Sequence, residues 1–479
     1  MSTKQQAREA ASALQQSLRG NPRTFTVADA ASASGLSLQR AELGLHHLLD
    51  EYRGHLSVTQ KGELLFSYPH GFTKPWERVD RLTRAWRGIK SAVVGVGKFI
   101  VRAWVSVVLV GYVVLFAVVL LALSAANRQS DRDHGGSLGS SLLLHTLLRV
   151  VLDSLFWTFH PFSPFRVEFD RGAVRQRKQP FYEKVNRFFF GPERQAVDPR
   201  QTTRTLLSEI RARQGRIGVV DAMRVTGLGK EKLDPILARL LLDYEGGVEV
   251  SDEGAVVYRF PHVRPSAQDI FEPPPVAIWH KLEAAAPLTG NSVGTNLLIG
   301  GLNGFNLVMS VLAIQNGWTL ERIQHILTVA QSGVPPELVT LPPAGTPLLL
   351  GWVPLVFSLA LFALPLGRTL GHARERRRVQ AMNGRRGLLR AVVTQPHEKG
   401  LTEDVLCQAW RQAAGVLPGD RELTRAVVAL GGELHVEEDG SAFYHFPQLQ
   451  AELRALQRER RQAGEQEVDV GAVVFSSAR

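Results

Sequence analysis

Hydrophobic positions along the chain change their period in the same way three times. Leu38, Ala41, Leu45, Leu48 and Leu49 recur at helical spacing; Leu56, Val58, Leu64, Phe66 and Tyr68 then alternate. The succession returns as Leu233, Leu237, Leu240 and Leu241, followed by Val248, Val250, Val256, Tyr258 and Phe260. A looser third copy, with "AAGVLPGDRE" inserted, runs through "LTRAVVAL" into "GELHVEEDGSAFYHFPQ" (Gly432 to Gln448). Spacings of three, four and seven put side chains on one helix face, and alternation describes strands with one buried face. The first two copies align without a gap, Asp29 with Asp221, Gly35 with Gly227, Val58 with Val250 and Pro69 with Pro261. Gly62, Gly254 and Gly440 lie just past the hairpin turn, where positive φ is expected. Pro69, Pro261 and Pro447 end the second strand because proline cannot donate to a ladder. Helix, turn, helix and a two-stranded wing predict a winged helix three times over.

Between the copies lie long apolar runs. Residues 103–125 and 347–367 carry no charge, and each suffices to cross a hydrocarbon core of about 30 Å. Pro354 is expected to kink the second. Residues 292–314 form a third span, softened by Asn296, Asn303 and Asn306. Residues 141–162 are the poorest span, with His145, Arg149, Asp153 and His160 inside. Charge in the connections argues that this fourth segment crosses. Residues 73–102, 166–187 and 368–390 are rich in Lys and Arg, whereas "NRQSDRDHGGSLGSS" and 316–346 are nearly balanced. The positive-inside rule puts the basic runs in the cytoplasm, which requires four spans in two hairpins.

The expected fold class is an α-helical membrane protein with α+β soluble modules, three winged-helix-like modules alternating with two transmembrane helical hairpins. Its parts are a first module (1–72), a basic juxtamembrane segment (73–102), a first hairpin (103–162) and a basic, aromatic linker (163–200). There follow a second module (201–265), a Pro-rich linker (266–291), a second hairpin (292–367) and a basic segment (368–386). A third module (387–449) and a charged helical tail (450–479) complete the chain.

Composition adds exclusions. The chain has 479 residues and a formal net charge of +11, segregated into the arginine-rich runs beside the apolar ones. The N-terminal "MSTKQQAREAASALQQ" has no apolar core, so a cleaved secretory signal is not expected. Cys407 is the single cysteine. One thiol excludes an intrachain disulfide and any Cys-rich zinc or all-Cys iron–sulfur site within one chain. No cofactor and no metal ligands are expected. No Walker loop, HExxH or dinucleotide fingerprint occurs, and "GGSLG" around Ser137 lies in a short loop rather than a strand-to-helix turn.

Three sets of residues carry candidate roles. Arg149 and Asp153, four apart, share a helix face with His145 and can pair at membrane depth. The favoured reading is a tilted segment whose Arg149 snorkels to the headgroups, the alternative an ion route. Asn296, Gly300, Asn303 and Gly304 form a small, amide-bearing face suited to helix packing. Arg187, Phe188, Phe189, Phe190 and Arg194 form a docking or membrane-surface segment. A winged helix invites a DNA reading. Here the helices "SLQRAELGLHHLL", "KEKLDPILARLL" and "DRELTRAVVAL" offset bases with acids, and Pro235 is expected to interrupt the second. DNA readers need a net basic face, so nucleic acid is the disfavoured partner.

The middle of the chain, about residues 150–320, resembles a family of uncharacterised polytopic membrane proteins of cyanobacteria and chloroplasts. The resemblance rests on "PFYEKVNRFFFGPE" (Pro180 to Glu193), "VEVSDEGAVVYRFPH" and "NLLIGGLNGFNLV". It implies the same membrane-plus-soluble architecture. Where the family's "DGxPN" would follow "FFFG", this chain reads "PERQAVDP". Some plant members carry an iron–sulfur assembly label, for which Cys407 alone supplies no ligand set.

The sequence thus predicts a non-enzymatic scaffold or regulator of the bacterial cytoplasmic membrane, multi-pass with both termini cytoplasmic. Its partners would be the bilayer and cytosolic proteins, with copies of the chain itself a further candidate. The alternatives are a membrane-tethered DNA-binding regulator and a small transporter using Arg149 and Asp153.

Overall fold

A computed structural model of the chain describes residues 3–18, 24–72, 103–121, 123, 180–192, 198–251, 254–264, 275–332, 345–394, 400–436, 442–464 and 472–477. In chain order it opens with α1 (Thr3–Ser17), β1 (Thr24–Thr26), α2 (Val27–Ser34), α3 (Leu38–Tyr52), β2 (His55–Thr59) and β3 (Leu64–Ser67). Two helices follow, α4 (Ala103–Leu121) and α5 (Phe181–Phe190). Next come α6 (Gln201–Ala212), β4 (Arg216–Ile217), α7 (Val219–Thr226), α8 (Lys230–Asp243), β5 (Gly247–Val250) and β6 (Val256–Arg259). Then stand α9 (Val293–Gln315), α10 (Leu320–Ser332) and the long α11 (Val353–Thr394). The chain closes with β7 (Leu401–Thr402), α12 (Glu403–Ala414), α13 (Asp420–Ala429), β8 (Glu433–Val436), β9 (Ala442–His445), α14 (Pro447–Gly464) and β10 (Val473–Ser476). Residues 1–78, 196–284 and 377–479 form one unit, and 79–195 with 285–376 a second.

The first unit holds three small antiparallel sheets, ordered β1-β3-β2-β10, β4-β6-β5 and β7-β9-β8. Their hairpins share one register, with Leu56 opposite Phe66, Val248 opposite Tyr258 and Leu434 opposite Tyr444. The helices begin and end where local chemistry dictates. Thr26 Oγ1 accepts from the Asp29 N–H and Asp29 Oδ2 from the Thr26 N–H, both at 3.0 Å, a capping box that starts α2. Gly35 (φ 68°) and Gly227 (φ 70°) stop α2 and α7 in the left-handed region, where a side chain would be strained. Gly62 and Gly254 also have positive φ, as their place beyond the turn predicts; Gly440 lies outside the described residues.

The three sheets do not keep separate interiors. One continuous apolar core runs from Leu14, Leu45 and Phe66 through Leu206, Leu237 and Phe260 to Leu389, Trp410 and Phe446. Pro235 does not break α8. The helix runs on to Asp243 because Leu233, Leu237 and Leu240 are buried on its inner face, which outweighs the roughly 3 kcal/mol cost of an interior proline.

In the second unit α4 and α9 are 19 and 23 residues long; α11, whose residues up to Arg376 belong to that unit, spans 47 with the π turn before it (Leu348–Trp352). Among the described residues these three helices are long and apolar enough to cross a membrane, and they support a membrane-associated location. Pro354, the expected kink, stands in the first turn of α11, directly after the π turn Leu348–Trp352. Residues 141–162, the expected fourth span, lie outside the described residues. In the tail α14 runs to Gly464 and β10 forms a strand, a short element that the charge-rich sequence before it hides; residues 465–471 lie outside the described residues.

Candidate functional site

Among the described residues no group of His, Cys, Asp and Glu is placed to hold a metal ion. The surfaces that remain are the small-residue face of α9, the aromatic helix α5, the exposed faces of α3, α8 and α13, and the strand edges.

On α9 the inward line is Ile299, Leu302, Asn303, Asn306, Met309, Ser310 and Ala313. Asn303 Nδ2 donates to the Ser358 carbonyl of α11 at 3.0 Å, and Asn306 Nδ2 to the Leu109 carbonyl of α4 at 2.9 Å. Both asparagines are fully buried. Each ties α9 to a neighbouring helix by a side-chain bond to a backbone carbonyl, a common membrane-helix contact. Asn296 Nδ2 donates to Thr289 Oγ1 at 2.9 Å, and Gly300 faces the Phe188 ring, 3.8 Å from where a Cβ would stand. Gly304 has open space around it. The face expected from spacing is therefore rotated toward Asn306, an amide that the four-residue pattern left out.

On α5 Phe189 is fully buried, packed with Val185, Leu109, Ile299 and Leu361, and Phe188 packs against the same cluster. Arg187 is half-buried and paired with Glu183 at 3.3 Å. Of the described residues of this segment only Phe190 stands exposed, so Arg187 to Phe189 chiefly pack. Arg368 Nη1 donates to the Phe188 and Phe189 carbonyls at 3.3 and 3.4 Å, and its Nη2 donates to the Leu288 carbonyl. It thus satisfies the end of α5. Gly191 follows with φ 89°, a backbone conformation that a side chain would strain. Arg194, Arg149 and Asp153 lie outside the described residues.

The outward faces of α3, α8 and α13 mix signs. Arg40 stands with Asp50 and Glu51; Lys230, Lys232 and Arg239 with Glu231 and Asp234; Arg421 and Arg425 with Asp420 and Glu422. Leu242 on α8 and Val428 on α13 are exposed apolar positions among them.

Helix α14 makes a polar clamp that no periodicity announced. Glu452 Oε1 accepts from the Val220 N–H at 2.7 Å, at the N-terminus of α7. Gly218 permits this approach, because a Cβ there would collide with the carboxylate. Burial pushes the Glu452 carboxyl up to about 7, the Val220 N–H opposes that shift, and nearby Asp221 adds to it. Asp221 Oδ2 accepts from the Gly218 N–H at 3.0 Å and from Arg460, whose own pKa is lowered by burial. Glu459 holds Arg259 at 2.7 Å and Arg216 at 3.7 Å. Deeper still, the fully buried Glu209 is held between Arg213 (3.0 Å) and Arg224 (2.5 Å).

The strand edges differ among the three sheets. The outer edge of β2 carries β10, with Val473 opposite Thr59 and Ser476 opposite Ser57. The Gln60 N–H donates to the Ala472 carbonyl at 2.9 Å, the Ser477 N–H to the Leu56 carbonyl at 2.8 Å, and the Leu56 N–H to Ser477 Oγ at 2.8 Å. The corresponding edges of β5 and β8 carry no strand among the described residues. Compared with protein-family models, curated proteins and solved structures, the chain matches none.

Proposed function

We propose that the chain is a membrane-bound, non-enzymatic scaffold or regulator whose three winged-helix-like modules present docking surfaces to cytosolic proteins. The observation that carries this reading is the thrice-used order of helix, strand, two helices and two strands, with one sheet order and one hairpin register, beside three membrane-length helices. The mixed charge of α3, α8 and α13 favours protein over duplex DNA, which demands a net basic face. The exposed Leu242 and the apolar wing strands give such a surface its contact area. In this reading the basic runs flank the bilayer on the cytoplasmic side, and both termini lie there.

Site-specific photo-crosslinkers test the reading in membranes. Probes at Leu242, Val428 and Val250 should yield discrete protein adducts, whereas a probe at Leu297 on the apolar face of α9 should yield lipid alone. Absence of protein adducts from all three module positions would contradict it. A salt-steep shift of duplex DNA by the full chain would replace it with the DNA-binding reading.

A further inference from the structure

We propose that α14 is a detachable clasp on the second sheet, opened by ionisation of Glu452 and closed by its protonation. The inference goes beyond the docking reading and does not depend on it. The clasp has its origin in a glycine. The gapless alignment of the first two copies sets Gly218 where Thr26 stands. Thr26 Oγ1 caps α2 by accepting from the Asp29 N–H, and Gly218 has no side chain to do the same for α7. The first N–H groups of a helix still need acceptors. For α7 one comes from far along the chain, where Glu452 Oε1 accepts from the Val220 N–H at 2.7 Å. Glu452 is only 8% exposed, and it fills the space that a Cβ on Gly218 would need.

Beyond its start α14 is held chiefly by charge. Leu449, and in part Leu453, reach the main core, whereas Ala455 and Leu456 form a small cluster of their own with Ala255 and Val257. The other ties are ionic: Glu459 to Arg259 at 2.7 Å and to Arg216 at 3.7 Å, and Arg460 to Asp221. A segment with few buried apolar contacts opens at lower free energy than the core beside it. Leu449 sets the hinge in the first turn of α14, and opening uncovers Val257 on β6 and the first turn of α7.

Glu452 is the group on which closure turns. Asp221 faces it from α7, Lys230 from α8 and Tyr258 from β6. Arg460 is engaged by Asp221, and Lys230 also donates to Gln448 Oε1 at 3.3 Å. Burial holds the Glu452 carboxyl up at about 7; the Val220 N–H opposes this, Asp221 adds to it, and Lys230 and the Val219 N–H oppose it. Once α14 swings into water the carboxyl returns to its ordinary 4.5. The closed clasp thus holds the proton more tightly than the open one. Opening is therefore favoured about tenfold more for each pH unit between about 4.5 and 7, and no further above that.

Hydrogen exchange of the full chain in lipid nanodiscs, corrected for the intrinsic rate at each pH, tests the clasp. Between pH 5.5 and 7.5 the protection of the amides from Leu453 to Ala463 should fall about twentyfold. Helix α6, whose Leu206, Leu207 and Ile210 lie in the main core, should keep its protection over the same range. Glu452→Gln, neutral throughout, should hold α14 closed and make its protection independent of pH. Gly218→Ser gives α7 a cap of its own and crowds the carboxylate out, so α14 should exchange fast at every pH while α7 stays protected. The proposal is overturned if α14 is equally protected at both pH values, or if Glu452→Gln changes with pH as the parent chain does. Loss of α6 protection in step with α14 would also overturn it, since the whole unit would then be opening. So would an α14 as well protected in Gly218→Ser as in the parent chain.

Discussion

Arg211 on α6 places Nη2 2.6 Å from Asp29 Oδ1 on α2, and both side chains are largely buried. Asp29 also caps its own helix through the Thr26 N–H. In the next sheet Asp221 stands at the corresponding place, caps through the Gly218 N–H and receives Arg460 from α14. One acid thus does two tasks in each case: it starts a helix and anchors a guanidinium from a later segment of the chain.

Asp29→Ala should therefore cost more than a cap alone, about 2–3 kcal/mol, and Arg211→Gln about 1–2 kcal/mol. The two together should cost less than their sum, because they share one interaction. Thermal unfolding of the full chain, followed by tryptophan fluorescence in detergent, checks the cycle; strict additivity would separate the pair energetically.

That relationship was half legible in the sequence. Asp29 and Asp221 align openly, and their capping role follows from position. Their arginines do not, since Arg211 and Arg460 meet them only after separate segments dock into the common core. The hairpins, Gly62 and Gly254 were readable because turns are local chemistry. Pro235 misled because inward leucines decide α8, and β10 was hidden because a four-residue strand among charged residues has too little pattern to show. On α9 Asn303 packs as its spacing suggested, whereas Gly304 meets open space and Asn306 was left out, since which helix face turns inward depends on neighbours such as α4 and α11.

Glu452 gives the first unit a pH dependence of definite sign. Its carboxyl lies higher in the folded chain, about 7, than its ordinary 4.5, so the folded state holds the proton more tightly. The stability this adds is complete below about pH 4.5 and is lost as pH rises through about 7, at most about 3 kcal/mol in all. Glu452→Gln keeps an acceptor for the Val220 N–H and should flatten this part of the profile. Denaturant midpoints of the two chains between pH 5 and 8 check it; parallel profiles would exclude Glu452 as the titrating group.

Glycine-to-alanine substitutions should separate closely packed sites from open ones. Gly384 lies against the buried Trp410 ring, and a Cβ there would stand inside contact distance. Gly384→Ala should cost about 2–3 kcal/mol, whereas Gly304→Ala, with nothing near it, should change stability by less than about 0.5 kcal/mol. Melting temperatures of the full chain in detergent measure both.

Glu209 sits fully buried between two arginines. Glu209→Leu would leave Arg213 and Arg224 without their carboxylate and should cost about 3–5 kcal/mol. Arg224→Leu in the same background should recover part of that loss. Failure of the second change to recover any stability would show that Arg224 is not held by this pair.

The central claim, modules on the cytoplasmic side of a membrane, is tested most directly at Cys407, the only thiol. Cys407 lies half-buried on α12, and its thiol is pushed up first by burial and then by Glu403, Asp404 and Asp420. Labelling with a membrane-impermeant maleimide should therefore be run above pH 8, where more thiolate forms. In spheroplasts of a bacterial host, the account predicts labelling only after permeabilisation, with a denatured control reaching completion. Labelling of Cys407 in intact spheroplasts would put the third module outside the cell and contradict the account.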